Sequence, residues 1–358
     1  MMITLRGDVV GCVVSGPMKL LVYTHEACLR HDTGLGHPER PARLAATLAG
    51  IEASGVDAID LAAEPIDRNH LRLVHAAEYV DAIERFCQAG GGALDADTPV
   101  VADSWEAALR SAGAGIQAVD DLGRSRGDAA FVVTRPPGHH ALVNRAMGFC
   151  LFNNIAIAAR YLTGSGNKVA IVDWDVHHGN GTQDTFYEDP NVLYISLHEF
   201  PAYPGGGWID ETGAGPGTGT NFNFPFPTGT DGGPYRWAFS QAIVPLLEEW
   251  GPDWLLISAG YDGHRDDPLA GIALVREDYR EMASMLSGVV GKGRTVLFLE
   301  GGYNLEAMTA SVTDTVNGLD RPRVGVIPST DTSTAMRIAQ MTAIEIGNHF
   351  GLTLHDSG

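Results

Sequence analysis

The chain of 358 residues carries 24 Lys and Arg against 44 Asp and Glu, a formal net charge of −20. A surface of that sign repels phosphate backbones and anionic bilayers, which argues against nucleic-acid and membrane partners. It fits a cationic substrate as well as it fits ordinary solubility.

In chain order, residues 1–17 lack both a basic start and a sustained apolar core, so they read as a flexible extension or an overlong start rather than a signal peptide. One domain is expected over 18–320. Strand-like runs fall at 19–23 (KLLVY), 129–134 (AAFVVT), 168–173 (KVAIVD), 192–198 (VLYISLH), 254–259 (WLLISA) and 295–300 (TVLFLE). Helical spacing of apolar residues marks 39–54, 105–122, 152–162, 235–250 and 276–290 between them, and TAMRIAQMTAIEIGNHF within a C-terminal segment, 321–358. Strands apolar on both faces and alternating with helices predict a mostly parallel sheet covered on each side, a three-layer αβα sandwich. No eighteen consecutive residues are apolar. Cys12, Cys28, Cys87 and Cys150 form no C-x-x-C pair, which fits a reducing, cytoplasmic compartment.

The polar signatures sit where those strands end: RPPGHH, DWDVHHGNG, YDGHRDDP and GGYN. Open parallel sheets build their sites in the crevice beyond the carboxyl ends of the strands, so these distant clusters are expected to converge. Asp175 and His177 share a side of an extended segment, with Asp173 behind them. Asp262 is the best third ligand and Asp267 the competing acid, its Asp-Pro pair reading more naturally as a turn. Two carboxylates and one imidazole describe a catalytic Zn²⁺ site with an open position, which implies hydrolysis. Water at a dication so nearly neutralised is less acidic than at three imidazoles, so the site needs its own base. His139 and His140, after the stiff Pro136-Pro137-Gly138, supply one, with Asp173 and Asn180 available to fix a tautomer. Tyr303 is placed to donate to an oxyanion, and Phe149 and Tyr203 to wall a narrow apolar tunnel.

RPPGHH, GFCLFNN, DWDVHHGNGTQ, SLHEFPAYPG, SAGYDGHRDDPLAG and LEGGYN, in this order, resemble the histone deacetylase family over about residues 18–320. GHPERPARL and the HHGNGTQ variant resemble its class II branch and bacterial members. The resemblance implies an arginase-like fold and a metal-dependent amidohydrolase acting on acyl-lysine or acetylpolyamine substrates, with Zn²⁺, or Fe²⁺, on Asp175, His177 and Asp262. It implies His140 as general base, His139 as its assistant backed by Asp173, and Tyr303 as clamp on the carbonyl oxygen. A structural K⁺ is implied on Asp173, Ser196 and main-chain oxygens of Asp175, His177 and Leu197. Gly148, Phe149 and Tyr203 would line the tunnel, Asp97, with Asp95 competing, would hold substrate at the rim, and Arg40 would sit near an acetate exit. Asn180 stands where class I relatives carry Asp, which leaves His140 less basic. Leu269 stands where polyamine-preferring relatives can carry an acid, which tilts the reading to acyl-lysine-type or other small acylamide substrates. A homo-oligomer is compatible with this reading. A non-catalytic acyl-binding module would lack the tyrosine or histidines, and a binuclear manganese ureohydrolase would need more acids and imidazoles.

Overall fold

Ten strands organise the described residues: β1 Lys19–Thr24, β2 Asp57–Ala62, β3 Gly91–Ala93, β4 Pro99–Val101, β5 Ala129–Val132, β6 Val169–Asp173, β7 Val192–Glu199, β8 Asn221–Phe226, β9 Trp254–Ala259 and β10 Thr295–Leu299. The structure is a computed structural model that describes residues 17–321 and 332–352; the extension expected over 1–17 lies outside the described residues save for Pro17. Eight strands form one sheet in the order β2-β1-β5-β10-β9-β6-β7-β8, every neighbouring pair parallel, while β3 and β4 make a separate antiparallel pair.

Period-two alternation explains the layers. Val169 and Ile171 of β6 and Val296 and Phe298 of β10 feed one apolar core, while Ala170, Val172, Leu297 and Leu299 feed the other. Helices cover both faces, so the expected three-layer αβα sandwich is what the chain forms. Five sequence-read helices appear as Ala42–Ser54, Ser104–Gly123, Asn154–Gly164, Arg276–Leu286 and Thr334–Phe350. The expected helix over 235–250 is instead broken into Gly232–Ala238, a wide π turn Phe239–Ile243, and Val244–Trp250. Pro245 lacks the N–H that an unbroken helix would donate to Gln241, and the wide turn absorbs that loss.

Two strands of the eight-stranded sheet, besides the short β3 and β4, lie outside the sequence-read set. β2 is an edge strand with exposed Asp57 and Asp60, and β8 alternates Phe with Asn221 and Asn223 and contains Pro225, all poor strand signals. Helix Thr334–Phe350 packs on β8 and buries Ala339, Ala343 and Ile346 in the core, and the Thr342 hydroxyl donates to the Asn223 carbonyl at 2.8 Å. No helix among the described residues is long and apolar enough to cross a membrane.

Candidate metal centre

β6 and β9 lie side by side in parallel, with Asp173 opposite Ser258, so the segments that follow them leave the sheet together. Asp175, two residues past β6, and Asp262, three past β9, therefore meet His177; one ligand atom from each lies within 4.8 Å of the others. His177 Nδ1 is 3.3 Å from Asp175 Oδ1 and 3.1 Å from Asp262 Oδ2. The second oxygen of each acid is tied back: Asp175 Oδ2 accepts the Gly301 amide at 2.7 Å and Asp262 Oδ1 accepts the Val176 amide at 3.0 Å. Glycine is required at 301, because a Cβ there would overlap the Asp262 carboxylate. Burial, and then the charge of Asp175, pushes the Asp262 carboxyl above its ordinary range. Two desolvated acids converging on one imidazole nitrogen suit a divalent cation, and the donor set leaves a coordination position open. Asp267 is committed elsewhere: Oδ2 accepts the amides of Tyr303 at 2.7 Å and Asn304 at 3.1 Å, and Oδ1 that of Leu269 at 3.0 Å.

Beside this triad the two histidines differ in partner. His139 Nδ1 lies 3.1 Å from Asp173 Oδ2 and its Nε2 lies 3.8 Å from Asp175 Oδ1. Burial opposes its cation, but Asp173, Asp175 and Glu300 outweigh that and carry its pKa up to about 10. His140 is held well below the ordinary imidazole value by burial, then by its positive neighbours His139 and His177. Its Nδ1 faces Asn180 Oδ1 at 2.8 Å while Asn180 Nδ2 turns to Met147 Sδ, so His140 donates from Nδ1 and keeps the lone pair on Nε2.

A cavity of about 220 Å³ opens over these groups, lined by both histidines, His177, Gly148, Phe149, Tyr203, Leu269, Asp97 and Tyr303. Gly148 and Phe149 are both left-handed, at φ 55° and 67°, and a Cβ on Gly148 would overlap the His140 ring. That turn stands Phe149 on edge against Tyr303, with ring centroids 5.9 Å apart. Burial and the nearby Asp262 charge push the Tyr303 phenol well above its ordinary value, so it keeps its proton as a donor. Of the two rim acids, Asp97 lines the cavity and Asp95 pairs with Arg145 at 3.0 Å. The Asp97 carboxylate accepts from the Thr98 hydroxyl, which in turn accepts the Phe149 amide at 3.1 Å. Asp173 and Ser196 are cross-strand partners on β6 and β7 with Leu197 next along; the Ser196 hydroxyl lies 2.9 Å from His198 Nδ1.

One expectation is corrected. Arg40 is exposed, whereas Arg43, one helical turn on, is fully buried beneath Tyr303 with its guanidinium 5.0 Å from the ring centroid. Arg43 Nε donates to the Gly302 carbonyl at 2.6 Å, Nη1 to Glu39 at 2.9 Å, and Nη2 to the Glu300 carbonyl. Glu39 also receives Arg135 through both oxygens. Although burial alone would raise the Glu39 pKa, Arg135 and then Arg43 hold it down at about 2. Glu300 was likewise absent from the sequence-read site: Oε2 accepts the amides of Gly138 at 2.7 Å and His139 at 3.2 Å. The available signal for Arg43 was its i,i+4 spacing from Glu39 in GHPERPARL.

A model of the histone deacetylase domain matches residues 37–319. A protein of Synechocystis sp. described as uncharacterized is 42% identical over 309 residues, covering 84% of this chain and 99% of its own. Histone deacetylase 15 of Arabidopsis thaliana is 41% identical over 79% of this chain and 52% of its own length. A probable deacetylase of Archaeoglobus fulgidus is 39% identical over 79% and 80%. Among solved structures, the crystal structure of the HDA15 HD domain superposes with a TM-score of 0.85 at 35% identity, covering 92% of this chain and 97% of that one.

Proposed function

Because the chain belongs to the histone deacetylase family, we propose that it is a zinc-dependent amidohydrolase that removes acetyl or other acyl groups from acyl-lysine-type or related acylated amines. The observation that carries this is the juxtaposition in one cavity of a three-ligand centre, an imidazole pair whose members face Asp173 and Asn180, and a tyrosine. A divalent ion on Asp175, His177 and Asp262, Zn²⁺ in this reading and Fe²⁺ as the alternative, would polarise the acyl carbonyl and acidify a water.

The chain's own residues do the rest. His140 Nε2 takes a proton from the attacking water as its oxygen bonds to the carbonyl carbon. Tyr303 donates to the carbonyl oxygen as negative charge grows there, and the His139 cation stabilises the same charge. The C–N bond then breaks, a histidine passes the proton to the departing amine, and the acid and the free amine leave. Asn180 orients His140 without adding a negative charge, which keeps this base weak. Phe149 and Tyr203 grip the linker of the substrate, neutral Leu269 favours an uncharged acyl-lysine side chain or other small acylamide over a polyamine that keeps further ammonium groups, and Asp97 takes donors at the rim. Asp173, Ser196 and Leu197 would hold K⁺ behind His139. Free, buried Cys28, Cys87 and Cys150 fit a cytoplasmic setting.

Among the described residues the triad is the one group of three such ligands, which disfavours a binuclear centre. The test incubates purified protein with acetyl-lysine peptides, acetylpolyamines and longer acyl-lysines, with and without chelator, and counts bound metal. Acetate release that chelation stops and Zn²⁺ restores, at one ion per chain, is expected. Tight binding of acylated ligands without turnover would overturn the reading.

A further inference from the structure

The four residues after β10 each fasten a different part of the site. Tyr303 is held through its amide by Asp267 at 2.7 Å, and Gly302 through its carbonyl by Arg43 at 2.6 Å. Gly301 donates its amide to the ligand Asp175 at 2.7 Å. Glu300 reaches the opposite way, to the loop of the histidine pair. Its Oε2 accepts the amides of Gly138 and His139, at 2.7 and 3.2 Å, and among the described residues neither amide has another acceptor.

Two features set this carboxylate apart from ordinary loop packing. Its side chain hydrogen-bonds directly from the segment carrying the tyrosine to the segment carrying the bases, across 162 residues of sequence. It is also only 1% exposed, and its Oε1 has no hydrogen-bond partner among the described residues. A buried acid with half its acceptor capacity unused is a poor choice for stability alone, so its presence calls for a reason at the site.

We propose that Glu300 is a positioning residue that sets the separation between the imidazole pair and Tyr303, so that base and oxyanion donor face one acyl carbon. The lever is short and stiff. The carboxylate grips the backbone of His139 itself, and the phenol sits three residues along from its own Cα. A shift of the grip by one methylene therefore moves the bases relative to the phenol without replacing any side chain that lines the cavity. Such a misplacement is read in turnover rather than in substrate binding.

This inference rests on the amidohydrolase reading, and acetate release by the native, zinc-loaded protein is the control that separates failure of one from failure of the other. Two variants pull charge and reach apart. Glu300→Gln keeps the reach and an oxygen able to accept both amides while removing the charge. Glu300→Asp keeps the charge and shortens the reach. The expected result, per bound zinc, is kcat within about fivefold of native for Glu300→Gln and about a hundredfold lower for Glu300→Asp, the cost typical of an ångström-scale misplacement, with KM changed less than about twofold in both. Glu300→Asp turning over like the native protein, or Glu300→Gln falling as far as Glu300→Asp, would overturn the proposal. Zinc content and thermal midpoint are measured for each variant, and a loss that follows those quantities instead of kcat per zinc counts against positioning as well.

Discussion

The floor and the mouth of the cavity are built on different terms. On the floor, Asp175, Asp262, Glu300, Glu39, Arg43 and Arg135 are at most 1% exposed, and each is bonded to at least one segment remote in sequence. At the mouth, Tyr203 and Leu269 are 39% and 41% exposed and ride on loops. A charge buried on the floor depends on its partner, because losing one member strands the other in low dielectric. A side chain at the mouth is solvated with or without the substrate, so it tunes recognition at little cost to the fold. The contrast predicts large effects on turnover, metal and stability below, and small effects on selectivity above.

The largest expected effect is at the triad. Asp262→Asn should abolish stoichiometric metal binding and lower turnover by more than the roughly thousandfold upper range for loss of a single oxyanion donor. The same change should raise the thermal midpoint of the metal-free protein, since it removes a charge that burial, and then the neighbouring Asp175, disfavour. Metal analysis and calorimetry on chelated protein check both arms. A variant that still holds one zinc would remove Asp262 from the ligand set.

Next comes the ion cluster under Tyr303. Glu39→Gln leaves two buried guanidinium groups without their shared counter-charge, which should cost about 3–5 kcal/mol of unfolding free energy by denaturant titration. The pH dependence has a definite sign. Glu39 is held at about 2 in the fold against an ordinary 4.5, so its contribution is complete above about pH 4.5 and is lost as pH falls toward 2. The native protein should lose stability more steeply than the variant over that window. Equal slopes would show that the cluster does not act as a charged unit.

Tyr303→Phe removes only the donor, so turnover should fall about a hundredfold to a thousandfold while zinc content and stability hold. A rate within a few-fold of native would take the phenol out of the reaction and leave it as a wall beside Phe149.

The floor and the mouth also differ in how far they were legible in the sequence. Ligands delivered by strand ends announce themselves, because a β-branched run such as KVAIVD stops at acids and imidazoles and parallel sheets gather their strand ends on one side. The supports of that floor do not. Glu39 meets Arg135 across 96 residues and Glu300 meets Gly138 across 162, and no local pattern encodes such pairings. Motif position pointed to Arg40 alone, because it says nothing about which face of a helix turns inward, and it is Arg43 that does. β8 was missed because Asn221 and Asn223 face buried Gln183, at 2.9 and 2.8 Å, where strand propensity expects apolar side chains.

The smallest expected effect belongs to the mouth, and it tests the contrast most sharply. Leu269 lines the cavity at its open end, with its amide held by Asp267, so replacing its side chain leaves the loop anchor intact. In Leu269→Glu a new carboxylate meets solvent and the far end of a long substrate. Pairing with a second ammonium group there is worth about 0.2–1 kcal/mol, as for exposed ion pairs generally, and it is screened by salt. The kcat/KM of an acetylpolyamine relative to an acetyl-lysine peptide should therefore rise by up to about fivefold at low ionic strength and return toward the native ratio as salt is added. Turnover at saturation should stay where it was, because nothing on the floor has moved. A change in kcat with no change in selectivity would mean that the loop of Leu269 is coupled to the floor through Asp267 and the Tyr303 amide, and the division between the two regions would fail at that bond.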